Sequence, residues 1–201
     1  MQKLVLIGGG GHCRSCIDVI EATGLFDIIG ILDVAKKVGE KVFDYSIIGT
    51  DSDINKFVTL GARFLITLGQ VGTGQRRSEI FAKIKAANGE LVMVISPRAY
   101  VSSRSRIGEG TIIMHDVLVN ACASIGADCI INTKALIEHD AQIADHCHVA
   151  TGAIINGGVH VGEKAFIGSG AVVVECRDVP PRTFVKAASV WSELKIEDTD
   201  A

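Results

Sequence analysis

From Ile95 onward the chain places an aliphatic residue at every sixth position. Ile95, Val101, Ile107, Ile113, Val119, Ile125, Ile131, Ile137, Ile143, Val149, Ile155, Val161, Ile167, Val173, Val179 and Val185 are all Ile or Val. The position four further on is mostly small, as at Ala99, Ser105, Ala123, Cys129, Ala135, Ala141, Cys147, Ala153, Ala165 and Ala171. Gly often follows the aliphatic residue, as at Gly108, Gly126, Gly162 and Gly168. A hexapeptide repeat with an aliphatic anchor predicts a parallel β-helix. Each unit gives one short strand and a turn, and three units close a triangular coil of about 18 residues. The anchors point into the prism, the small residues fit at the bends, and backbone groups pair between coils at about 4.8 Å. A passive solenoid, such as an ice-binding surface, would need flat outer rows of one residue type. The outward positions here are mixed and include histidines.

The first 94 residues follow a different rhythm. Apolar runs at residues 3–7, 28–32, 45–49, 63–68 and 90–95 predict strands, and residues 16–23 and 75–88 predict helices. Alternating strand and helix implies a parallel sheet with crossover helices, an α/β Rossmann-like unit. The expected organisation is an α/β domain over 1–94, a β-helix over 95–190 and a tail over 191–201. In such sheets ligands sit at the carboxyl ends of the strands, where Gly8, Gly10, Gly11, His12, Asp33, Gly69 and Gln70 fall. Glycines there let backbone approach a phosphate, and helix N-terminal amides favour anions. The spacing Gly8, Gly10, Cys13 lacks the third glycine of a dinucleotide fingerprint, which disfavours NAD.

Composition narrows the class further. The 201 residues are 48% hydrophobic and carry a formal net charge of −3, so no basic footprint for nucleic acid or an anionic membrane is present. No apolar run reaches the length of a membrane span, and the start MQKLVLIGGGGH lacks the features of a signal peptide. A cytoplasmic protein is expected, with free thiols at its six cysteines and small buried residues at Cys13 and Cys16. The histidines form no metal-ligand spacing.

Three segments carry a resemblance: Leu6-Ile7-Gly8-Gly9-Gly10-Gly11-His12, residues 132–140 (NTKALIEHD) and His146-Cys147-His148-Val149. With them the chain resembles the NeuD/PglD family of bacterial sugar acyltransferases over nearly its whole length. The resemblance implies a left-handed β-helix, acetyl-CoA as acyl donor and a homotrimer with donors bound between neighbouring helices. It also implies a nucleotide-linked sugar, UDP or dTDP, held by Gly8, Gly10, Gly11, His12, Asp33, Gly69 and Gln70. The acceptor would be the amine of a 4-amino-4,6-dideoxy sugar; a sialic-acid-type hydroxyl or a non-catalytic binding role are the alternatives. Asn132, His148 and Gly157 match family positions near the acyl group, and Ser169 and Ala187 fall in the outer CoA groove. Departures from the family are Cys13, Val34 and the segment 184–188 (FVKAA), with Lys186 expected to be solvated.

Acyl transfer needs a base, a donor for the oxyanion and alignment of the two substrates. His139 is the candidate base, since neutral imidazole dominates at cytoplasmic pH. Asp140 or Glu138 would orient its ring. Gly157 lies 18 residues after His139, one full coil, and should stack beside it and offer its N–H to an oxyanion. His115 belongs on another face of the prism.

Overall fold

A computed structural model describes residues 1–192; from residue 193 on, the expected tail lies outside the described residues. The first part is a five-stranded sheet in the order β3-β4-β2-β1-β5, built from β1 (Gln2–Ile7), β2 (Phe26–Leu32), β3 (Lys41–Val42), β4 (Tyr45–Gly49) and β5 (Arg63–Ile66). All pairings are parallel except β3 with β4. β1 lies between β2 and β5, and from Leu4 to Ile7 it is buried on both faces, which is why it reads as a continuous apolar run. Leu4 and Leu6 face helix α1 (Gly11–Thr23), with Cys13, Cys16, Ile17 and Ile20. Val5 and Ile7 face α2 (Ile54–Thr59) and α3 (Gln75–Ala86), with Phe57, Ile80 and Ile84.

Several boundaries differ from the sequence reading. α1 begins at Gly11 rather than residue 16. Its buried residues Cys13, Cys16, Ile17 and Ile20 continue one helical stripe back into the glycine run, so packing overrides the low helix propensity of glycine. α2 has only Ile54 and Phe57 buried, too short a period to stand out in sequence. The stretch 90–95 is a strand only at Val94–Ile95, with a single bridge from Leu91 to Phe64.

From Val94–Ile95 to Val190–Trp191 the chain winds as two-residue strands into three parallel sheets, a left-handed parallel β-helix. From Ile113 to Val185 the anchors are at most 3% exposed, filling the prism as the repeat predicts. Each such side chain contributes about 1.5–3 kcal/mol relative to exposure. A backbone with positive φ recurs every sixth residue, at Gly110, Asp116, Cys122, Asp128, Lys134, Asp140, His146, Gly152, Gly158, Lys164, Gly170, Cys176, Arg182 and Ala188. Most of these corners carry a side chain where glycine would be less strained, held by the coils above and below.

The residue before each anchor points outward and gives each face its own character. One face presents Val94, Ile112, Ile130, His148, Phe166 and Phe184; α1 packs on its first strand, and the first three are buried. A second presents Arg106, Ser124, Gln142, His160 and Asp178, a polar column. The third presents Tyr100, Leu118, Leu136, Ile154, Val172 and Val190, apolar along its whole length. Tyr100 is 62% exposed and Val190 65%. Among the described residues no helix is long and apolar enough to cross a membrane.

Candidate active site

His139 stands at the corner where the apolar face turns into the polar one, directly after the strand Leu136–Ile137. Its Nδ1 lies 2.9 Å from Asp140 Oδ2. A carboxylate only accepts, so Nδ1 carries the proton and Nε2 keeps its lone pair. Glu138 is occupied elsewhere: its Oε2 accepts from Asn120 Nδ2 at 2.8 Å and from the His139 backbone N–H at 3.2 Å. The choice left open by the sequence falls to Asp140, because the left-handed corner at φ 60° swings its carboxylate beside the ring. The hydrogen bond to Asp140 raises the imidazole pKa above its ordinary value, with the charges of Asp140 and Glu138 adding to it.

Gly157 lies under this imidazole, as the one-coil spacing predicts. A Cβ there would sit 2.8 Å from both His139 Nε2 and Cε1. Its N–H makes no hydrogen bond among the described residues. The imidazole and the open Gly157 N–H therefore adjoin in an open groove of about 620 Å³, lined also by Asn156, Gly158, Glu175 and Cys176. Further along the helix, Ala188 N–H bonds to Ser169 O at 2.9 Å, which puts Ser169 and Ala187 on adjacent coils. Both are exposed, as is Lys186.

The pH dependence follows from this geometry. A general base at His139 must be neutral, so the rate is expected to fall as pH drops through its raised pKa. In Asp140→Asn that acidic limb should move to lower pH, toward the unperturbed value of about 6.5, with a lower plateau. A pH–rate profile of kcat/KM for both forms checks this; an unmoved limb would remove Asp140 from the site.

Asn132 and His148 lie apart from His139, on the covered face and its corner with the apolar face. His148 Nδ1 is 2.8 Å from Gln70 O, and its Nε2 is 3.2 Å from Asn132 Nδ2. Burial lowers the His148 pKa to about 4, outweighing the bond to Gln70, so the ring is neutral. A carbonyl must accept, so Nδ1 carries the proton and Nε2 accepts from Asn132. His12 adjoins, its ring 6.4 Å from that of His148. Burial, with Arg77 and His148 nearby, lowers its pKa to about 3. His12 Nε2 and Gln70 Oε1 are buried without a partner among the described residues, two atoms that a hydroxyl or amine of a ligand would satisfy. Gly69 closes against His12, whose Cβ is 3.4 Å from where a Gly69 Cβ would be.

Gly8 and Asp33 fall in a neighbouring cavity of about 380 Å³ at the carboxyl ends of β1, β2 and β4. Gly8 has φ 109°, and a Cβ there would meet Leu68 at 2.6 Å. Burial works against the Asp33 carboxylate, but Lys37 at 2.9 Å and the amides of Val34 and Gly9, both at 2.7 Å, hold its pKa below the usual range. Asp33 thus braces the glycine turn. Thr50, Ser52 and Arg76 also line this cavity and escaped the sequence reading. The only signal for Thr50 and Ser52 was a polar run after a strand end, and Arg76 reads as an ordinary polar residue in the first turn of α3. Gly10 and Gly11 start α1 with no side-chain cap, their amides open to an anion.

The remaining histidines serve the framework. His115 bridges Ser96 Oγ at 2.6 Å and Asp18 Oδ2 at 2.8 Å, tying α1 to the first coils. His160 pairs with Asp178 at 3.0 Å on the polar face. Cys13 and Cys16 are buried free thiols. No cluster of His, Cys, Asp or Glu suited to a metal occurs among the described residues.

Comparison with known proteins places this arrangement. Residues 3–84 match the family model of the PglD N-terminal domain. No curated protein sequence matches. A mutant of perosamine N-acetyltransferase from Caulobacter crescentus, solved with CoA and GDP-perosamine, superposes with a TM-score of 0.88 at 32% identity, over 96% of this chain and 90% of that one. The acetyltransferase domain of PglB from Neisseria gonorrhoeae, solved with acetyl coenzyme A, gives 0.85 at 27% identity, over 93% and 89%. WeeI from Acinetobacter baumannii, at 14% identity and 0.59, shares the fold.

Proposed function

As the chain belongs to the NeuD/PglD family of sugar N-acetyltransferases, we propose that it acetylates the amino group of a nucleotide-linked 4-amino-4,6-dideoxy sugar, for a bacterial surface glycan. The observation that carries the reading is the His139 imidazole, oriented by Asp140 and lying over Gly157 in an open groove. Acetyl-CoA occupies that groove, with Ser169 and Ala187 along its outer part. The sugar amine attacks the thioester carbonyl carbon, and His139 Nε2 takes the proton. The oxyanion accepts the Gly157 N–H. As the tetrahedral intermediate collapses, the C–S bond breaks and the imidazolium returns its proton to the CoA sulfur.

In this reading residues 1–94 form the nucleotide-sugar domain and 95–190 the acyltransferase. The nucleotide fills the cavity at Gly8 and Asp33, with its phosphates toward Gly10 and Gly11. The sugar then reaches His12, Gly69 and Gln70. UDP and dTDP are candidate nucleotides, and the GDP-perosamine bound by the Caulobacter relative adds GDP.

A homotrimer completes the site. The apolar column from Tyr100 to Val190 needs a cover, and a threefold arrangement with these faces inward supplies it. His139 stands at one edge of that face and Asn132 at the other. Around a threefold axis, the His139 edge of one copy meets the Asn132 edge of the next. Asn132 and His148 then approach the acyl group from the neighbour. A cytoplasmic setting supplies both substrates.

Thiol release from acetyl-CoA tests the reaction, against GDP-, UDP- and dTDP-linked 4-amino-4,6-dideoxy sugars and free sialic acid. Turnover with one amino sugar, giving an alkali-stable amide, is expected. Turnover with sialic acid alone would overturn the amine assignment.

A further inference from the structure

Arg77 and Asp128 form an ion pair between α3 and a corner of the β-helix, with side chains 1% and 0% exposed. Neither belongs to the catalytic groove or the nucleotide cavity. A buried pair of this kind is seldom more stable than apolar side chains of the same volume, so stability alone explains it poorly.

Its hydrogen bonds point to another role. Arg77 Nη1 donates to Ile66 O at 2.9 Å and to Leu68 O at 2.7 Å. β5 stops at Ile66, so these carbonyls belong to the chain as it leaves the sheet for the Gly69–Gln70 loop. Arg77 Nη2 reaches Asp128, at its carboxylate and at its backbone O, 3.3 Å away. The other carboxylate oxygen of Asp128 is 2.9 Å from His146 Nδ1. His146 O in turn accepts Gln70 Nε2 at 3.1 Å, while His148 donates to Gln70 O. The loop is thus fastened at its root by Arg77 and at Gln70 by two coil positions flanking Cys147. α3, which follows the loop, has Gly74 at its N-cap and so no side-chain cap to fix it. A guanidinium holds its donors in one rigid plane, so these bonds set orientation as well as distance.

We infer that Arg77 and Asp128 are positioning residues for the acceptor sugar: with His146 they hold the Leu68–Gln70 loop in register against the β-helix. This rests on the reading that Gly69 and Gln70 contact the sugar. Apolar replacements would fill the same space but leave the two loop carbonyls unbonded, and the loop would drift relative to His148 and Asn132. Small misplacements of a bound substrate cost turnover steeply.

The test uses two variants of the full chain. Asp128→Asn keeps the shape and removes the charge. The double variant Arg77→Met/Asp128→Leu removes the pair without leaving a buried charge, and serves if the first fails to fold. Hydrogen exchange followed by mass spectrometry reads the loop directly. Peptides over residues 67–74 should exchange about tenfold faster, and those over 136–160 should be unchanged. With GDP-, UDP- or dTDP-linked sugar, whichever the wild type uses, kcat/KM for the sugar should fall by roughly 10- to 100-fold. The KM for acetyl-CoA should stay within about twofold. Unchanged exchange in the loop overturns the proposal. So does equal loosening of loop and coils, or a loosened loop with unaltered sugar kinetics, since each describes a merely structural pair. A wild type inert toward every sugar would instead overturn the assignment of function, before any variant is made.

Discussion

His139→Ala should lower kcat by roughly 10²- to 10⁴-fold, the range that general base catalysis supplies, while leaving nucleotide-sugar binding intact. The separation of effects is what the geometry demands. The imidazole is 64% exposed and touches Asp140 and Gly157, so its loss removes no packing from the core. The groups expected to hold the sugar, His12, Gly69 and Gln70, lie at the covered face of the prism. Residual turnover should persist, because the Gly157 N–H and the alignment of the substrates remain. Steady-state thiol release gives kcat, and calorimetric titration with the nucleotide sugar gives the affinity. Activity near wild type would sink the assignment of His139. Loss of sugar affinity in parallel with kcat would mean that the imidazole binds the acceptor rather than deprotonating it.

Different parts of this molecule were legible in the sequence for different physical reasons. The β-helix was legible because each coil repeats the same packing problem, so one aliphatic anchor recurs from Ile95 to Val185. The stacking of Gly157 on His139 followed from the same arithmetic, one coil being 18 residues. The apolar column from Tyr100 to Val190 was also written there, as the residue before every third anchor. A step of six mixes the three faces and hides it; a step of 18 separates them. The choice between Glu138 and Asp140 was not legible, because it depends on a positive φ at residue 140 and on Asn120 capturing Glu138. Arg77 looks in sequence like any polar residue of a helix beginning at Gln75, and Asp128 like a turn residue. Only the packing of α3 on the coils brings them together. The start of α1 was misread for a related reason: four glycines signal a loop until the sheet and the β-helix bury Cys13 and Cys16 beside them.

A mixture of two inactive variants should regain activity if the catalytic unit is shared between copies. His139→Ala removes the base at one edge of the apolar face. The double variant His12→Ala/Asn132→Ala removes Asn132 at the other edge and His12 on the covered face beside it. Each alone should be nearly silent. In trimers assembled from equal amounts of both chains, a site drawing its base from one copy and its Asn132 edge from the next is intact only for one of four pairings. Roughly a quarter of the sites should therefore work, and the mixture should recover about that share of wild-type turnover. Were the two edges joined within a single chain, every site would carry one lesion or the other, and the mixture would stay as inactive as its parents. Subunits must be exchanged for the experiment to count, either by coexpression or by mixing before refolding. A charge on the bare face, as in Ile154→Glu, supplies the control: it should dissociate the assembly and prevent the rescue, because Ile154 sits between Leu136 and Val172 in the apolar column, and burying an unpaired carboxylate against the same column of two neighbours is heavily penalised. Rescue that persisted in the dissociated variant would show that the apolar column does not assemble the site.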